Sequence, residues 1–129
     1  MIFMAYMFSR LLLLLVTVVI SGCFGSSVLH EKDYQRHWCK KHQGELEHRL
    51  SDGTRVDCLT SEYAVEVEYA HKWAEAIGQS LFYAKMTGRK AGIVLIMTEK
   101  GDDRFARRLR EVAAAEKIKV WTIRPDNLR

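Results

Sequence analysis

Apolar and polar residues recur along this chain with two different periods, and the switches between the periods mark out its elements. The chain opens on an apolar run, Leu11 to Ile20 (LLLLLVTVVI). From Leu29 to Lys41, Tyr34 and Trp38 stand one helical turn apart, and Gly44 closes the segment. Glu45 to Leu50 alternates, Ser51-Asp52-Gly53 supplies a hairpin turn through its Asp-Gly pair, and Thr54 to Thr60 is the returning strand. Tyr63 to Glu68 (YAVEVE) alternates again. From His71 to Thr87 the residues Trp73, Ile77, Leu81 and Ala84 repeat at helical spacing up to Gly88. Ala91 to Thr98 is continuously apolar, the pattern of a strand buried on both faces. Asp102 or Asp103 caps a basic helix that runs through Glu116, Lys117 to Ile123 is the last strand, and Pro125 stops it. The order α-β-β-β-α-β-α-β predicts an α/β domain: a mixed central sheet, its hairpin antiparallel and its later strands joined by helix crossovers, with helices on both faces.

The first segment reads differently from the rest. Arg10, the apolar run and the small residues Ser21-Gly22 form the three parts of a secretory signal, and the run is too short to span a bilayer comfortably. Ile20-Ser21-Gly22-Cys23 resembles the lipobox of bacterial lipoproteins. That resemblance implies a signal peptide over residues 1–22, diacylglycerol on the Cys23 thiol, and a lipidated N-terminus and short tether over residues 23–28. It places the domain, residues 29–129, in the cell envelope, lipid-anchored to a membrane on its extracytoplasmic side. What is left is a single domain of roughly 100 residues with one modest core. The whole chain's make-up, 48% hydrophobic and 28% charged, is that of a folded protein. The net charge of +4 admits polyanionic partners without requiring them. Arg104, Arg107, Arg108 and Arg110 can follow phosphates, or be an ordinary solvated helix face.

Three cysteines are present, Cys23, Cys39 and Cys58. With Cys23 acylated and the domain exported, Cys39 and Cys58 are expected to form one disulfide, with two separate buried thiols as the alternative.

Chemistry concentrates in the third strand and the helix after it. Glu66 and Glu68, two apart, project from one face of a strand, and adjacent carboxylates repel unless a cation or a proton lies between them. Asp57 belongs to the preceding strand, which Ser61-Glu62 folds alongside. Oxygen donors of this kind suit Mg²⁺ or Mn²⁺. On the next helix Lys72, Glu75, Gln79 and Tyr83 form a polar stripe, read as lying opposite Trp73, Ile77 and Leu81.

Asp57, Glu66-Val67-Glu68 and Gln79-Ser80-Leu81-Phe82-Tyr83 together resemble the D…(D/E)xK…QxxxY series of the PD-(D/E)XK, or restriction-endonuclease-like, superfamily. The resemblance extends over nearly the whole domain. It implies a restriction-endonuclease-like fold and a divalent-metal-dependent phosphodiesterase or nuclease. Asp57 and Glu66 would be the metal ligands, a lysine would act on the attacking water, and Glu31, Gln79 and Tyr83 would position substrate. The chain departs from the pattern at one point: Glu68 stands where the family has lysine. Lys72 is the candidate replacement, which assigns Lys72 and Glu68 to the catalytic step. The alternative function is a catalytically inactive nuclease-like fold serving as an envelope binding or structural lipoprotein. The individual residues also have plainer readings, with Glu66 and Glu68 on the wet face of an edge strand and Asp57 paired to Arg55.

Overall fold

The computed structural model describes residues 28–129, so the expected signal segment and Cys23 lie outside the described residues. The elements are α1 (Glu31–Lys41), β1 (Glu45–Arg49), β2 (Arg55–Leu59), β3 (Tyr63–Tyr69), α2 (Trp73–Thr87), β4 (Lys90–Ile96), α3 (Asp103–Glu116) and β5 (Lys119–Ile123). Their order is the one read from the sequence, with short 3-10 turns added at Ala70–Lys72 and Pro125–Leu128. No helix among the described residues is long and apolar enough to cross a membrane.

The sheet runs β1-β2-β3-β4-β5 in space, as in sequence. The β1–β2 and β2–β3 junctions are antiparallel, and the helix crossovers make β3–β4 and β4–β5 parallel. In the hairpin turn Gly53 adopts φ +90°, and Asp52 Oδ1 accepts from the Thr54 amide (3.0 Å) and hydroxyl (2.6 Å). Residues Ala91 to Met97 are buried throughout, as a central strand covered on both faces requires.

Three apolar clusters build the core, the smallest of them Leu50, Val56, Ala64 and Tyr83. Tyr34, Trp38 and Cys39 of α1 pack on Val65, Val67, Val94 and Ile96. On the other face, Ala76 of α2 and Ala106, Leu109 and Ala113 of α3 pack on Ala91, Ile93 and Leu95. The expected inward face of α2 needs correction. Its fully buried line is Ala76, Ser80 and Tyr83, while Trp73, Ile77, Leu81 and Ala84 are only partly buried beside it. Small side chains let the helix backbone approach the sheet closely, and the larger apolar residues then fill its flanks. Tyr83 therefore belongs to the buried side, not to a stripe opposite it. Asp102 stands at the N-cap of α3, as expected, and its carbonyl accepts the Phe105 amide at 2.9 Å, but its side chain makes no capping hydrogen bond. Its buried Oδ2 accepts the amides of Thr98 and Glu99, both at 2.9 Å, and so fixes the β4–α3 loop.

A disulfide joins Cys39 of α1 to Cys58 of β2, with Cα atoms 5.6 Å apart, the pairing expected from the sequence. Closing a loop of this size stabilises by roughly 3 kcal/mol in the chain-entropy account. Gly44 leaves room for the bond: a Cβ there would overlap Cys58 Sγ and sit 2.9 Å from Cys39 Sγ. Gly44→Ala is expected to destabilise the domain by about 1–3 kcal/mol, the usual range for overpacking. Urea unfolding measures this, and the loss should shrink in the Cys39→Ser/Cys58→Ser background, where smaller oxygens replace both sulfurs.

Candidate active site

Around Asp57 the sheet is irregular on both sides. β2 pairs with β3 at Leu59↔Ala64 and Cys58↔Val65, and no backbone pairing follows beyond that point. The β1–β2 ladder passes through Leu46↔Cys58 and resumes at His48↔Val56, skipping Glu47, whose φ is +55°. Buried backbone groups freed in this way need other partners. The Asp57 carbonyl accepts from Gln35 Nε2 at 3.0 Å, and Asp57 Oδ2 accepts the Val67 amide at 2.8 Å in place of a strand carbonyl. Gln35, on α1 and only 3% exposed, also donates to Glu47 Oε1 at 2.9 Å. Arg55 pairs with Glu47 at 3.3 Å and not with Asp57.

Glu66 and Glu68 pair in register with Ile93 and Leu95 and so share the face that α2 covers. β3 is the central strand, and both glutamates are buried, at 5% and 7% exposure. This excludes the wet edge-strand reading. The Glu66 carboxyl lies within hydrogen-bonding reach of Asp57. Burial, and after it the charge of Asp57, push the Glu66 carboxyl up to about 9, so near neutral pH it keeps a proton that it can donate to Asp57. Burial also raises Asp57, to about 6, against the downward pull of the Val67 amide and of Glu66. Glu66 Oε2 is buried and has no hydrogen-bond partner. Once Glu66 gives up its proton, a bound cation would satisfy that oxygen.

Glu68 Oε1 accepts the Tyr69 amide at 2.8 Å and faces Lys72 Nζ at 3.7 Å. Glu31, in the first turn of α1, comes within hydrogen-bonding reach of Glu68. The two come from opposite sides of the sheet and meet where β2 and β3 have separated. Burial and then Glu68 push the Glu31 carboxyl up to about 7. Tyr83 is buried among Leu50, Val56 and Ala64. Burial, Glu66 and Asp57 push its phenol up to about 12, so it remains a neutral donor.

Six of the seven residues expected at the site, Glu31, Asp57, Glu66, Glu68, Lys72 and Tyr83, thus gather at one seam. Gln79 does not: it is exposed, one turn before Tyr83. The Cys39–Cys58 bond lies next to Asp57 in the chain and ties its strand to the helix of Glu31 and Gln35. Gln35 and Glu47 were not expected. Gln35 falls one turn after Glu31 on the inward side of α1, which its spacing could have shown; the ladder break at Glu47 has no local sequence signal.

Among the described residues, no three His, Cys, Asp or Glu side chains stand close enough, as they are, to enclose a metal ion. Mg²⁺ does not need such a cage, because it commonly keeps several waters and takes one or two carboxylates. The Asp57–Glu66 pair and its unpartnered oxygen fit that requirement. No protein-family model matches this chain, and no curated protein or solved structure is significantly similar to it.

Glu66, Glu31 and Asp57 are all raised above ordinary carboxyl values, so the folded state holds protons that the unfolded chain releases. In the absence of divalent metal, stability should be fully present in acid, fall as pH rises from about 4.5, and level off above about 9. Thermal melts across this range in EDTA check the slope. Glu66→Gln should flatten much of it and raise Tm at pH 8, and an unchanged slope would remove Glu66 as its source.

Proposed function

We propose that this domain is a divalent-metal-dependent phosphodiesterase of the PD-(D/E)XK, restriction-endonuclease-like kind, carried on a lipoprotein anchored through Cys23 to the extracytoplasmic side of a membrane. The observation that supports the chemistry most is the buried Asp57–Glu66 carboxyl pair with its orphan oxygen, beside the Glu68–Lys72 ion pair. Asp57 and Glu66, the latter giving up its proton, are the residues that would hold Mg²⁺ or Mn²⁺. The ion supplies positive charge that polarises a phosphate ester and makes a nearby water more acidic. Glu68, held by the Tyr69 amide, accepts the proton of the attacking water. The Lys72 ammonium stabilises negative charge building on the phosphoryl oxygens. Oxygen of the water bonds to phosphorus, the P–O ester bond breaks, and the departing oxygen takes a proton from solvent. Lys72 reaching back to Glu68 supports its standing in for the family lysine.

One observation favours the second reading, a catalytically inactive fold acting as an envelope binding or structural lipoprotein. The family's lysine position holds Glu68, and Lys72 is 44% exposed at 3.7 Å from it, a loose pair.

Calorimetric titration of the full chain with Mn²⁺, followed by incubation with labelled oligonucleotides, separates the two. The hydrolytic reading expects cleavage, lost by about 100-fold or more in both Asp57→Asn and Lys72→Ala. Mn²⁺ binding abolished by Asp57→Asn but with no cleavage supports the inactive reading, and failure to bind Mn²⁺ sinks the metal site itself.

A further inference from the structure

α1 carries more than the two side chains that reach the seam. Along its outer side Lys32, Arg36 and Lys40 recur at i, i+4 and i+8, and all three are exposed. Only Arg36 has a paired acid on the helix, Asp33 at 3.5 Å. At the C-terminal end the track meets aromatic rings. His42, exposed, stacks on Trp38 at 3.8 Å, and Trp121 of β5 stands 5.0 Å from Trp38, braced edge-on by Tyr63 at 5.2 Å. Between α1 and β5 lies a cavity of about 280 Å³ lined by His37, Trp38, Lys41, Trp121 and Asn127 among others, and a second concavity opens over Lys40 and Lys41. No carboxylate lines either one. These cavities are away from the carboxyl seam, at the other end of the same helix. Glu31 and Lys41 are separated by roughly 15 Å at the helical rise, about four nucleotides at the 3.4 Å rise of a stacked strand.

A basic track ending in a stacking platform matches a polyanion whose monomers each offer one charge and one flat face. From this arrangement we infer that α1 is the binding track of a single-stranded nucleic acid. Bases stack on His42 and Trp121, both backed by Trp38, and phosphates follow Lys40, Arg36 and Lys32 toward Glu31 at the other end of the helix. Cations alone mark a poorer site. The arginines of α3 lie on the opposite face of the sheet without such a platform, and Arg104 and Arg108 sit over the Phe105 ring at 4.6 and 5.9 Å. The inference names the substrate class for the proposed hydrolysis and rests on that reading for the chemistry, but binding is measurable without it.

The test is fluorescence anisotropy of labelled oligo(dT), about 12 nucleotides long, with the full chain in detergent and EDTA. Binding should weaken steeply between about 50 and 200 mM salt. Lys40→Glu/Lys41→Glu should weaken it at least about tenfold. His42→Ala should weaken it about fivefold or more through lost stacking, while Arg107→Glu/Arg108→Glu leaves it unchanged. Oligonucleotide binding by the unsubstituted chain with no cleavage after Mg²⁺ is added counts against the hydrolytic reading alone. Unchanged affinity in the Lys40/Lys41 variant overturns the inference. So does tighter binding of a duplex that depends on Arg107 and Arg108, or retention of the protein by phosphatidylglycerol vesicles through Lys40 and Lys41 without oligonucleotide binding.

Discussion

The like-charge crowding at Asp57, Glu66, Glu68 and Glu31 is the constraint around which the rest of the domain is arranged. Carboxyls this close and this buried cannot all ionise without a compensating positive charge. The metal-free fold answers with protons: Glu66 keeps one and shares it with Asp57, and Glu31 is shifted the same way beside Glu68. One lysine, Lys72, approaches the group.

That crowding depends on local damage to the sheet. If β2 stayed paired along its length, the Val67 amide would be satisfied by a strand carbonyl and Asp57 would be an ordinary ladder residue. Because the pairing fails on both sides of Asp57, its side chain takes over a backbone role, and Gln35 takes over the other. The same gap lets α1, which belongs to one face, bring Glu31 to a carboxyl on the other. Irregularity here concentrates the acidic side chains, as bulges commonly re-aim side chains.

Much of this was readable before the coordinates. The apolar run of β4, the Asp-Gly hairpin and the helical repeat of α2 each produce a pattern strong enough to survive without tertiary information. The spacing of Glu66 and Glu68, and of Glu68 and Lys72, likewise placed those side chains together correctly. The failures have a common cause. On α2, bulky Trp73, Ile77 and Leu81 drew the inward face toward themselves, although contact with a sheet is closest where residues are small, at Ala76 and Ser80. Gln79 was carried in with Tyr83 by a five-residue motif, yet one residue of helical rotation separates the buried line from solvent. Gln35 and Glu47 act through hydrogen bonds across long sequence separations, and these exist only once three elements are in register.

The covalent link between α1 and β2 has an implication for where the domain can be competent. Thiols oxidise to a lasting bond only in compartments without a glutathione or thioredoxin supply. In a reducing cytoplasm the helix that carries Glu31 and Gln35 is secured to the strand of Asp57 by noncovalent contacts alone. Whatever the carboxyls accomplish is therefore set up most firmly outside the compartment that stores the cell's own genome.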